Sequence, residues 1–364
     1  MAIGNRAIAL FWYARYIEDS ETQTLFLKHS RAAFARAIAF GVEDHASHDF
    51  ERWLNHLDSV ANWNKITPKI PAFRRGRSKI EQSYRKWCVS RRLVLNPVND
   101  LFDKIDSLQD TLTLPSITIQ KHESVLALPA PFGIFNQLKQ EFVAARFLVF
   151  EATREQHLPL HFADQGVILY DSLDYRYYRL WIEKLKMAFL SAHAILDKVA
   201  YLINDYWKLG RPIRSVSFNS IWFSGGRQHR QISGEFSADN WPLRGLFSLS
   251  RDFYYQTNSN RPLDPEARIL HEIRNHIAHK YLRVHDSMFY SAEGERARHG
   301  REMSFPVTEA ELAKQSVKLL KLVRSSLIYL SAAVTHEEVK RSSTIPYEAI
   351  ASVPVVALDD RFRI

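Results

Sequence analysis

The sequence predicts an all-α protein, with a C-terminal up-and-down bundle of four helices behind a mainly helical N-terminal region. Three observations carry that prediction. Apolar residues recur at spacings of 3 and 4 through most of the chain, the period of helices that bury one face. Glycine and proline fall at the ends of those runs, as at Gly41, Pro159 and Gly210, where they stop helices. Hydrophobic residues make up 46% of the 364 and aromatics 12%, enough to bury a sizeable core and too many for a disordered chain.

The order of elements is as follows. Leu25–Phe40 keeps helical spacing through Leu25, Phe26, Ala33, Phe34, Ala37 and Ile38, and His48–Trp63 does so through Phe50, Trp53, Leu54, Leu57, Val60 and Ala61. Together they suit a helical hairpin. Asn64–Lys79 changes character. It holds Lys65, Lys69, Arg74, Arg75, Arg77 and Lys79 with Pro68, Pro71 and Gly76, and no acidic residue. It reads either as a solvated basic loop or as an arm that neutralises nucleic-acid phosphates. A short helix over Ser78–Arg92 follows, then loop with one short strand within Leu108–Pro131. Asn136–Glu155 is helical again, and a domain boundary is placed near Leu158–Gly166. The division is 1–160, a helical region for regulation or for a partner or RNA; 161–341, the bundle; and 342–364, a tail.

The bundle opens with the longest predicted helix, Tyr177–Leu209. Leu185, Ala188, Ala192, Ile195, Val199, Leu202 and Tyr206 form its seam, and His193, Asp197 and Asn204 stand out as a polar line within it. A buried carboxylate is costly unless paired, so Asp197 is expected either to cap or bridge core groups or to orient residues of the motif helix. Arg211–Asn240 is a polar excursion in which Arg227, His229 and Arg230 could reach a ligand. Trp241–Gln256 is helical. Asp264 and Pro265 then make an N-cap and a first helical position. Ser291–Pro306 is a polar loop, and Thr308–Val334 closes the chain as a helix.

Leu270–Val284, LHEIRNHIAHKYLRV, organises the rest. As one helix it carries Leu270, Ile273, Ile277, Tyr281 and Val284 on an apolar stripe, which makes Tyr281 a packed core residue first and a site residue second. Glu272, Asn275, His276 and His279 fall on the other side with Arg274 at the edge. His276 reads as an interface or substrate contact, or as a plain surface residue. An acid, an amide, two imidazoles and a guanidinium make an unusual solvated face. His271, His276 and His279 do not make a zinc helix, because HEIRNH is not H-E-x-x-H. No metal and no cofactor is expected.

Several bounds narrow the function. The net charge of +9 favours a polyanionic partner. One cysteine, Cys88, excludes an internal disulfide. No apolar run reaches the roughly 18 residues of a membrane span, the N-terminus does not read as a signal peptide, and the expected location is the cytoplasm.

The spacing of Arg274 and His279, with Asn275 after the arginine, on the third helix of a four-helix unit, resembles the HEPN superfamily. The runs RKWCVSRRLVLNPVNDL, NQLKQEFVAARFLVFE, LDYRYYRLWIEKLKMAFLSAHAILDKVAYLINDYW and LHEIRNHIAHKYLRV look like one bacterial subfamily with a helical N-terminal region. Arg154 and His161 satisfy the wider spacing too, but Pro159 sits between them. The resemblance implies a metal-independent endoribonuclease of the toxin or antiviral-defence type, dimeric through paired motif helices. Arg274, His279 and Asn275 would be catalytic, and Asp197, His276, Tyr281 and Glu272 supporting. Tyr281 would complete the Arg-x4-His-x-Tyr form found in some HEPN toxins. The implied partners are RNA, a second copy and an antitoxin or nucleotidyltransferase, with no membrane. Five residues along an ideal helix leave Arg274 and His279 about 140° apart, a further reason to expect two chains at one site. A non-catalytic HEPN module binding RNA or nucleotides, and an α-helical interaction scaffold, stand as alternatives.

Overall fold

The computed structural model describes residues 2–41, 44–70, 76–105, 108–118, 129–171, 173–224, 231–253, 265–288 and 303–345, with positions 357, 358, 360 and 363. Helices dominate: α1 (Ala2–Ala14), α2 (Ser20–Ala39), α3 (Asp44–Val60), α4 (Lys79–Ser90), the single turn α5 (Val98–Leu101), α6 (Ala130–Glu155), α7 (Leu180–Tyr206), α8 (Trp241–Phe253), α9 (Pro265–His279) and α10 (Glu309–Thr344). The all-α expectation holds. Two small strand pairs qualify it: β1 (Phe223–Ser224) against β2 (Gln231–Ile232), antiparallel, and β3 (Tyr281–His285) beside β4 (Ser304–Thr308), parallel. Residues 108–118 contain no strand.

Helix ends follow local chemistry. Asp19 accepts from Thr22 N at 2.8 Å to start α2, and Ser78 accepts from Glu81 N at 3.1 Å to start α4; each satisfies a backbone donor that has no partner within the helix. Thr308 does the same for α10, whose first turn also carries Glu309 and Glu311 at the positive end of the helix dipole. Gly41 takes a φ of 74°, beyond the end of α2, where only glycine is unstrained.

The expected bundle helices are present as α7, α8, α9 and α10, and α6 joins them. One apolar core runs from Leu93 and Leu95 through Leu138, Phe142, Leu185, Phe189 and Ile273 to Leu327 and Val334, so it crosses from residues before 160 to residues after it. Among the described residues the longest helix is α10, at 36 residues, and not α7, at 27. Two smaller clusters serve the N-terminal helices. Leu10, Phe26, Val89 and Val98 centre one, and Phe34, Phe50, Leu57 and Trp63 the other.

Two buried arginines join these layers. Arg146 of α6 makes a paired bridge to Asp110, both bonds 2.8 Å, and also donates to Leu93 O and Tyr84 Oη. Arg324 of α10 donates to Val94 O, Asp100 Oδ1 and Asn96 O at 2.6, 2.7 and 3.0 Å. Both grip the chain between Leu93 and Asp100. The planar five-donor guanidinium suits such a multiple grip.

Helix α9 ends at His279, not Val284, which corrects the fifteen-residue reading. Its apolar face rests on the core through Ala267, Leu270 and Ile273. Beyond it, Leu282 and Val284 are buried while Tyr281 is 43% exposed, the alternation of a strand. Asp174–Tyr178 lies along the open side of β3: Tyr177 N donates to Val284 O and Asp286 N to Tyr175 O.

Candidate active site

The polar groups of the motif gather on the last two turns of α9. His271, Asn275 and His279 occupy positions i, i+4 and i+8, one side of a helix, and Arg274 reaches across them. Arg274 Nη1 donates to Asn275 Oδ1 at 3.0 Å and approaches His279 Nε2 at 3.5 Å. The Asn275 amide then donates from Nδ2 to His271 Nε2 at 2.8 Å. A single line therefore runs His271–Asn275–Arg274–His279. His279 is exposed, and Arg274, Asn275 and His271 are half-buried.

Within one chain Arg274 comes to His279 by long reach. The backbone angle stands, but the long guanidinium arm spans it, and Asn275 supports the arm midway. The donors also define a protonation state. Asn275 Nδ2 can only donate, so His271 must offer a lone pair at Nε2 and be neutral. Burial pushes the His271 imidazole down from its ordinary value, the nearby Glu272 carboxylate opposes that, and the Arg274 charge adds to it. Protonated His271 would present a donor to a donor.

His193 of α7 completes the group from the core side. It is 5% exposed. Burial pushes its imidazole down to about 4, helped by the Arg274 guanidinium and by His271. A positive charge half-buried at the end of a packed helix thus has two neutral imidazoles behind it and one exposed imidazole in front.

The remaining site residues lie elsewhere. His276 is 1% exposed and stacks on Phe305 of β4 with ring centroids 5.4 Å apart, and its Nδ1–H donates to Glu272 O at 2.8 Å. It belongs to the packed side of α9, neither an interface contact nor a surface residue. The Glu272 carboxylate sits 3.6 Å from the same ring. Asp197 accepts from Phe218 N at 3.1 Å and so holds the chain after α7. Asn204 likewise bonds the backbone of Arg211 in both directions. Tyr281 is no core residue. Its hydroxyl accepts from Arg176 Nη1 at 2.8 Å and lies 3.3 Å from Tyr178 Oη.

Lys65, Lys69, Arg77 and Lys79 of the basic loop are exposed. That loop is tied to the N-terminal helices, by Lys69 N to Glu21 and Arg77 N to Glu81. Arg74 and Arg75 lie outside the described residues, as do Arg227, His229, Arg230 and Asp264. Arg154 ends α6, and His161 caps a short turn by accepting from Ala163 N. Among the described residues no three His, Cys, Asp or Glu side chains gather into a set that could hold a metal ion, and no helix is long and apolar enough to cross a membrane.

Sequence reasoning had no role for His271 except as a rejected metal ligand, although its i, i+4 relation to Asn275 was visible. The part of Arg176 and Tyr178 had no such signal, because a contact across more than a hundred positions is set by the fold.

The model of a family described as LA2681-like HEPN fits residues 123–337, more than half of the chain. No curated protein and no solved structure matches it.

Proposed function

The chain belongs to the LA2681-like HEPN family, a nuclease or RNA-binding module in general terms, and from that premise we propose that it is a metal-independent endoribonuclease. The observation that carries the proposal is the approach of Arg274 to His279, 3.5 Å apart at an exposed helix end, with Asn275 bonded to the arginine. The substrate brings its own nucleophile. The 2′-hydroxyl of RNA attacks the adjacent phosphorus, the bond to the 5′-oxygen breaks, and the products carry a 2′,3′-cyclic phosphate and a 5′-hydroxyl.

In this reading His279 takes the proton of the 2′-hydroxyl, and a second imidazole returns one to the departing 5′-oxygen. The second imidazole comes from His279 of a second copy, with the two α9 ends facing each other. Arg274 neutralises the charge that builds on the non-bridging oxygens, a role that guanidinium geometry favours, and Asn275 holds Arg274 in place. The N-terminal helices serve as the region that senses a partner, an antitoxin among them, and the biological setting is that of a toxin or antiviral effector.

The test is incubation of wild type, Arg274→Ala and His279→Ala with total RNA in EDTA, with the ends of the fragments identified. Wild type should cut and leave cyclic-phosphate ends; His279→Ala should lose about 10²–10⁴-fold in rate, the span of one general acid–base contribution, and Arg274→Ala about 10²–10³-fold, that of one group stabilising the charge of the transition state. Cutting that survives both substitutions would overturn the site. A wild type that binds RNA tightly and never cuts it would leave a binding module in place of an enzyme.

A further inference from the structure

Beside His279, two exposed tyrosines are held in place by a cation. Tyr178 and Tyr281 are each 43% exposed, and their hydroxyls lie 3.3 Å apart. Arg176 donates to the Tyr281 hydroxyl at 2.8 Å and sets its guanidinium carbon 5.6 Å from the centre of the Tyr281 ring. Asp174 fixes the other side of Arg176 through its Nε. The strip that carries Arg176 and Tyr178 is itself anchored: His285 Nδ1–H donates to Asp174 O at 2.8 Å, and Tyr177 Oη to Asp286 at 2.7 Å. Next along the chain Lys280 is exposed, between His279 and Tyr281.

We propose that Tyr178 and Tyr281, braced by Arg176, form a stacking platform for an unpaired base of the RNA strand whose phosphate meets Arg274 and His279, so that the substrate class is single-stranded RNA. The proposal rests on the ribonuclease reading for the phosphate and adds the recognition of the base. Unpaired bases are held by aromatic faces and by guanidinium planes, whereas bases within a duplex are already stacked and closed to them. Rings pinned at their hydroxyl ends also lose little freedom when a base arrives. The charges agree with a polyanion: Arg176 bonds Tyr281, the exposed Lys280 precedes it in the chain, Arg274 reaches His279 two residues before it, and the chain carries a net +9.

The experiment measures binding of a fluorescent 2′-O-methyl RNA dodecamer to the full chain, single-stranded and annealed to its complement. The methyl group removes the nucleophile, so the probe survives. Wild type should prefer the single strand. Tyr178→Ala and Tyr281→Ala should each weaken it about 10- to 100-fold, the effect of losing one stacked base, while Tyr178→Phe and Tyr281→Phe stay within about threefold of wild type. Tyr178→Leu, which keeps bulk without a π face, should match Tyr178→Ala and decides the matter if the alanine variants fold poorly by circular dichroism.

Alanine variants that bind as wild type, or phenylalanine variants as weak as alanine, would overturn the platform. So would a change in sedimentation with RNA affinity unchanged, which would make the surface a protein interface. The two readings separate cleanly. Tyrosine-dependent binding by a chain that never cuts RNA removes the nuclease and keeps the platform; cutting with no tyrosine dependence does the reverse.

Discussion

His193 should make the stability of this protein fall between neutral pH and pH 5, and His193→Gln should abolish that share of the fall. The imidazole titrates near 6.5 when the chain is unfolded and near 4 in the fold. Between those values the unfolded chain binds a proton that the folded chain does not, so stability rises with pH across the window and is lost as pH falls through it. At pH 5 the proton-binding ratio of the two states is about 30, or about 2 kcal/mol, against about 0.2 kcal/mol at pH 7. Spread over a chain of 364 residues, that is roughly 2–3 °C in Tm. Urea unfolding of wild type and His193→Gln at both pH values reads the effect as a difference of differences, which cancels the other titrating groups. Arg274→Ala should remove part of the slope and leave most, because burial is the larger cause and the Arg274 charge the next. Equal slopes for wild type and His193→Gln would refute the placement of a neutral imidazole behind Arg274.

Three further outcomes follow from the packing. His276→Ala should cost about 2–4 kcal/mol of stability by opening a cavity against Phe305, with RNA cleavage per folded molecule little changed; a selective loss of cleavage would return His276 to the site. Arg324→Ala should cost about 2 kcal/mol in urea unfolding, a value reduced because Asp100 is about one-third exposed, and the loss should appear between the N-terminal helices and the bundle. Gly4→Ala should cost about 1–3 kcal/mol, since the added Cβ would lie 2.1 Å from Cζ of Phe50; a neutral result would show that α1 is free to shift from α3.

Much of the fold was legible because helices write their period into the sequence. The seam of α7, from Leu185 to Tyr206, is buried at every predicted position, although the helix ends at Tyr206, with Lys208 at a φ of 50°, before Gly210 is reached. What escaped was the switch of period inside one run. Leu270, Ile273 and Ile277 continue numerically to Tyr281 and Val284, but YLRVH alternates, and a run that short fits either period. Strand β3 exists because Ser304–Thr308 and Asp174–Tyr178 lie on either side of it, and neither neighbour is visible from the run itself. The burial of His276 was missed for a related reason. Its ring is polar by composition, yet it behaves as a flat aromatic once Phe305 covers it and Glu272 O satisfies its donor.

The early end of α9 is what makes a site from these residues. A helix continued to Val284 would bury its last turn against the core along the Tyr281 stripe and set His279 in mid-helix, its backbone closed by later turns. Ending at His279 leaves that imidazole at a chain terminus of the helix, where a ligand can approach it from the end as well as the side. It also turns the chain into β3, which carries Tyr281 outward and lets Arg176 and Tyr178 come beside it from the strip before α7. In the proposed reading Arg274 faces a phosphate at His279 while a neighbouring base meets the tyrosines. Extending the helix by replacing Tyr281, Arg283 and His285 with alanine should therefore damage RNA binding and cleavage together, even though Arg274 and His279 are untouched. Retention of both activities by a variant with measurably greater helix content would show that the turn at Lys280 has no part in the site.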